Sequence, residues 1–234
     1  MHLLKTRSAP PPAPLRAMRG FTLVELAIVL VILTLLTGTL LIPIGARMEE
    51  RARRETASRL QDIEQALIGF AILHGRLPCP STEPDPASPA YGLEQSPPCN
   101  HATEGYLPWR TLGVHQVDAW GSVRDAATAP WTGYWRYRPD AGFTNATISA
   151  ASTTLSNIQL RDHAGNPLTT VSASRAAAVF YSTGSNRSAD GLNASHSPSA
   201  PAYQAGELAS GFDDQVHWIG HPFLIARLAQ AGRL

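Results

Sequence analysis

The chain has almost no net charge: 19 Lys and Arg face 18 Asp and Glu over 234 residues, for a balance of +1. A protein built to neutralise phosphates needs a basic face, so this balance argues against direct nucleic-acid binding. Charged residues make up only 16% of the chain against 44% hydrophobic ones, which argues against wholesale disorder. Cysteine is restricted to Cys79 and Cys99, whose wide spacing does not suit a zinc site or a redox motif. The sequence has no Gly-x-Ser-x-Gly elbow, no His-Glu-x-x-His pair and no phosphate-binding loop. His217 and His221 are four apart, but Gly220 and Pro222 break the helix that would align them on a metal. Catalysis is therefore not expected, and no catalytic residue is assigned.

What is present is distributed unevenly. Residues 1–20 contain Lys5, Arg7, Arg16 and Arg19 and no acidic residue, so this segment carries +4 and the remainder −3. Pro10, Pro11, Pro12 and Pro14 forbid a helix through its middle. An apolar run follows from Phe21 to Ala46, in which Glu25 is the only ionisable side chain. Leu26 to Ile44 are 19 residues without a charge. At about 1.5 Å per residue they reach roughly 28 Å, close to the hydrocarbon thickness of a bilayer. A cleaved secretory signal wants a shorter core and a small-residue cleavage site, and Ile44-Gly45-Ala46 is a poor one. A plain membrane anchor accounts for the length but not for Glu25, since a carboxylate there costs about 2.5–3.5 kcal/mol on insertion scales.

Arg19-Gly20-Phe21-Thr22-Leu23-Val24-Glu25-Leu26, followed by the apolar stretch, resembles the processing site of type IV pilins and type II secretion pseudopilins. The resemblance covers about residues 19–50. It implies that a prepilin peptidase and N-methyltransferase cuts between Gly20 and Phe21 and methylates the new amine of Phe21. It also gives Glu25 an assembly role, pairing with the amine of a neighbouring subunit and fixing the stagger of adjacent helices. A buried carboxylate tolerates low dielectric only when paired and hydrogen-bonded, which agrees with that role. The leader is long for this family, and Met18 is an alternative start.

Gly38, Pro43 and Gly45 interrupt the end of the apolar run. Pro43 reads either as a kinked membrane exit or, as the resemblance implies, as the point where the stem bends. Beyond it, residues 47–75 read as an amphipathic stem helix ending at Gly75. Leu60, Ile63, Leu67 and Phe70 form its apolar stripe. From Arg47 to Glu64 five basic residues balance five acidic ones, a solvated helix face rather than a phosphate site.

Residues 76–234 read as an exported head. Strands are expected at 134–138, 157–160, 177–182 and 215–219, and a closing helix at 223–234. The expected fold is thus α+β and pilin-like: a long N-terminal helix, half membrane and half amphipathic, packed on an antiparallel sheet. If this part is periplasmic, a disulfide between Cys79 and Cys99 is expected around a proline-rich loop. Segments 75–80, 107–109 and 118–121 are similar to pieces of pseudopilin heads, with residues 122–133 as an insertion. Trp109 and Trp120 read as core aromatics. Ser182 with its following polar loop, Asp190, Asp213 and Asp214 are similar to parts of the calcium-binding loops of some major pseudopilins. They read either as calcium ligands or as turn residues and a strand cap. No other cofactor is expected.

The resulting expectation is a structural subunit, pseudopilin or minor pilin. It would sit once across the bacterial inner membrane, leader in the cytoplasm and head in the periplasm, before entering a filament. Its partners would be other pilin subunits, the peptidase, membrane lipid, and an inner-membrane platform with its ATPase. The alternative from a different class is a membrane-tethered periplasmic binding or enzymatic domain outside any filament.

Overall fold

A computed structural model describes residues 21–99, 104–121, 134–169, 175–195 and 201–234, with the side chains of all but 37–44. The chain forms two compact units, residues 1–47 and 48–234.

Helix α1 (Leu23–His74) begins in the first unit. The side chains from Phe21, just ahead of it, to Leu36 are all exposed. Among the described residues no helix is long and apolar enough to cross a membrane. The uncharged run of the sequence continues through 37–44, where only the backbone is described. That backbone is helical through Pro43, and the expected kink there falls outside the described side chains.

In the second unit the stem stripe behaves as its spacing predicts: Leu60, Ile63, Leu67 and Ala71 are each at most 1% exposed. Gly75 ends the helix in the left-handed region at φ +71°, its N–H returning to the Ala71 carbonyl at 2.8 Å. The stripe packs on a four-stranded antiparallel sheet of β1 (Gly105–Tyr106), β2 (Arg136–Pro139), β4 (Ala176–Ser182) and β6 (Gln215–Gly220), in the order β1-β2-β4-β6. Tyr137, Phe180 and Ile219 meet Leu60 and Leu67 in one core, closed by Leu224 and Leu228 of the C-terminal helix α3 (His221–Gln230). The opposite face carries a second core of Val179, Tyr181, Ile158, Leu160 and Tyr203. It is covered by a ribbon of β3 (Gln159–Arg161) and β5 (Ala202–Gln204). With both faces covered, β4 is buried at all seven positions, and its sequence is an unbroken apolar run rather than an alternation. Truncating one large member of either core costs about 2–5 kcal/mol.

Several details differ from the sequence expectations: the strand expected at 134–138 is Arg136–Pro139, and the closing helix expected at 223–234 is His221–Gln230. The β3–β5 ribbon is parallel, an exception to the antiparallel sheet. The strand expected from residue 157 starts at Gln159, because Asn157 takes a left-handed φ of 59° that strand pairing does not accommodate. Trp109 and Trp120 are half-buried rather than core residues. Trp109 instead stands edge-on to Tyr91 with centroids 5.8 Å apart, on the short helix α2 (Trp109–Leu112).

Cys79 and Cys99 are joined as a disulfide. The loop between them is held again by Glu94, which accepts two bonds from the Arg76 guanidinium at 2.8 and 3.0 Å and one from the Cys79 N–H at 3.1 Å.

Candidate functional site

The start of α1 is organised by Thr22 and Glu25. The Glu25 N–H donates to Thr22 Oγ1 at 3.2 Å, and the Thr22 N–H points back to Glu25 Oε2 at 3.4 Å. This is a capping box: two orphan N–H groups of the first turn are satisfied by each other's side chains. The carboxylate also lies at the positive end of the helix dipole. Thr22-x-x-Glu25 carries that signature in the sequence itself, a local meaning of Glu25 that the membrane argument passes over. Phe21, one residue ahead, is 80% exposed.

In the head, three aspartates converge. One carboxylate oxygen each from Asp190, Asp213 and Asp214 lies within 4.8 Å of the others. Asp213 and Asp214 precede β6, and Asp190 stands just before a one-turn 3-10 helix, Gly191–Ala194. Both Asp190 oxygens accept from the Asn186 amide, and Oδ2 also from the Asp213 N–H at 2.9 Å, whereas the donors around Asp213 and Asp214 are one-sided. Asp213 Oδ2 receives the Ser185 hydroxyl at 2.7 Å and the Asn186 N–H at 3.0 Å. Asp214 Oδ2 receives the Asp190 N–H and the Asn193 amide, both at 2.9 Å. Asp213 Oδ1 and Asp214 Oδ1 are buried with no hydrogen-bond donor. Gly184, at φ +64°, lets Asp213 approach so closely that a Cβ there would sit 2.5 Å from its carboxyl carbon. Asp214 is only 1% exposed. Burial, helped by the charges of Asp190 and Asp213, pushes its carboxyl up to about 7 against its hydrogen bonds.

Ser182 stands apart from this cluster. Its hydroxyl donates to Asp118 Oδ2 and accepts the Gly184 N–H, so it is not turned toward the three aspartates. Asp118 in turn accepts the N–H groups of Trp120 at 3.0 Å and Gly121 at 2.7 Å. The segment it shapes is strapped to the stem. Arg59 donates to the Val117 carbonyl at 2.8 Å, Ala119 N–H to Thr56 Oγ1 at 3.1 Å, and the Trp120 indole to Glu49 Oε2 at 3.0 Å.

The geometry therefore has two parts: a helix start with a capped acid beside an exposed Phe21, and an acidic cluster in the head. The first is decided by comparison with known families. Residues 15–41 match the prokaryotic N-terminal methylation motif. This motif is the signature of type IV pilins and pseudopilins, and it agrees with the resemblance carried by residues 19–26. No curated protein and no solved structure matches the chain. The methylation motif contains Gly20, Phe21, Glu25 and the first part of the apolar helix. Of these, Gly20 lies outside the described residues, as do the leader and the 122–133 insertion. The motif points to a prepilin peptidase substrate that is a structural subunit with a membrane-anchored N-terminus. It does not extend into the head, where the acidic cluster and the strap lie.

Proposed function

We propose that this chain is a pseudopilin or minor pilin, cut between Gly20 and Phe21, N-methylated at Phe21, and assembled into a filament through α1. The methylation motif over residues 15–41 carries the reading. A second observation supports it: sixteen consecutive positions from Phe21 to Leu36 are exposed, nearly all of them apolar. Such a surface is unstable in water and requires lipid or neighbouring helices to cover it. The inner membrane holds it before assembly, with the head in the periplasm. A platform and ATPase then extract it, and neighbouring stems replace the lipid. In the filament Glu25 exchanges its bond with the Thr22 N–H for the amine of an adjacent subunit, which sets the register between helices.

The pairing of Cys79 with Cys99 suits an oxidising compartment. The Asp190–Asp213–Asp214 cluster would hold a calcium ion, since the three carboxylates converge and Asp213 Oδ1 and Asp214 Oδ1 are left without donors. Calcium takes about six to eight oxygens, so carbonyls or water would complete the shell.

The test is Glu25→Ala in the native host. Filament incorporation should be lost while the purified protein keeps the unfolding transition of its head. Normal incorporation of this variant would contradict an assembly role for Glu25.

A further inference from the structure

Gly69 lies in the interior of α1, where glycine costs about 1 kcal/mol relative to alanine. A Cβ built on it meets nothing within 4 Å, so no contact inside the subunit requires the glycine. The residue belongs to a groove of about 370 Å³ between α1 and α3, together with Gln65, Ile68, Ile72, Arg227 and Gln230. Small residues on a helix surface let a second helix approach closely, since interaxial distance follows side-chain size.

The charges of this face are also incomplete. Arg227 stacks over the Phe223 ring at 5.4 Å, its Nε is buried with no acceptor, and no carboxylate pairs with it among the described residues. On the stem beyond Arg47, Glu49, Glu50 and Glu55 pair with Arg53, Arg54 and Arg59, and Glu64 faces His217. Asp62 is the remaining carboxylate of that stretch; it is exposed and has no partner among the described residues. It precedes Gln65 by three positions and Gly69 by seven, which places all three along one helical face.

We propose that the α1–α3 groove is a docking site for a second copy of this chain, whose stem lies across Gly69 and sets its Asp62 against Arg227. The chain thus supplies both halves of the contact: an open groove with an unmatched guanidinium, and a stem with an unmatched carboxylate. The proposal deepens the filament reading and rests on it, because assembly is what brings copies side by side.

The experiment co-expresses two full-length chains in the native host, one D62C and one R227C, and oxidises intact cells mildly. A disulfide-linked dimer is expected from the pair and not from either variant alone. Adding G69L to both chains should lower its yield about tenfold, the equivalent of 1.4 kcal/mol. The unfolding midpoint of the G69L head should not fall, because the space above Gly69 is empty and leucine favours the helix over glycine. With native cysteines only, R227D and D62R should each reduce filament incorporation, and the combined swap should restore it. Absence of the dimer when subunits start at Phe21 and filaments form would overturn the groove and leave the filament reading standing. Cross-links to a chain of different mass would overturn the second copy as occupant. Unprocessed subunits would instead defeat the filament reading itself.

Discussion

At the scale of single residues, the proposed processing site is legible in the sequence because the motif that suggests it is local. Gly20, Phe21 and Glu25 lie within six positions, so their meaning does not depend on the fold. Asp118 is the opposite case: its partner Ser182 is 64 positions away, and only the folded chain brings them together. Ser182 was accordingly legible as part of a polar loop but not as a donor to Asp118. Asp118 is 1% exposed. Burial raises its carboxyl above the ordinary value, and its bonds from Ser182, Gly121 and Trp120 offset this only in part. The unfolded chain releases that proton near pH 3.9, whereas the folded chain holds it to higher pH. Native protein therefore binds more protons across that window, and Asp118's contribution to stability falls as pH rises from about 4 through its raised folded value. Asp118→Asn removes the titration. The unfolding midpoint of the wild type should decline relative to this variant as pH increases across the window. Parallel curves from pH 4 to 8 would contradict the assignment.

At the scale of elements, periodicity recovers what is long and misses what is short. The stem stripe is legible because its apolar residues recur at helical spacing over several turns. β4 is legible as an apolar run. β1 and β5 span two and three residues, too few for alternation to show, and the parallel pairing of β5 with β3 depends on which segments meet across the sheet. The acidic cluster is intermediate. Asp213 and Asp214 are adjacent in sequence, but the donors that occupy one side of each carboxylate come from residues 185–193. If calcium fills the other side, it ties the start of β6 to the loop after β4. Saturating calcium at about one hundred times its dissociation constant should stabilise the head by about 2.7 kcal/mol. Asp214→Asn should abolish most of that gain. A head whose unfolding midpoint ignores both calcium and chelator would show that the aspartates serve the turn alone.

At the scale of the whole molecule, the two compact units carry different kinds of information. The first is an apolar helix with a capped acid near its start, and its sequence announces its use. The second is an α+β head whose core explains its fold, while its surface chemistry lies outside the methylation motif. The proposed function joins them: a subunit that lipid would hold until processing permits assembly. The measurement that tests this most directly is intact mass with N-terminal sequencing of the protein from its native host, with and without the prepilin peptidase. The account predicts a mature chain beginning at N-methylated Phe21, found only when the peptidase is present. A chain that keeps residues 1–20 in its presence, or one cut near Ala46, would contradict it.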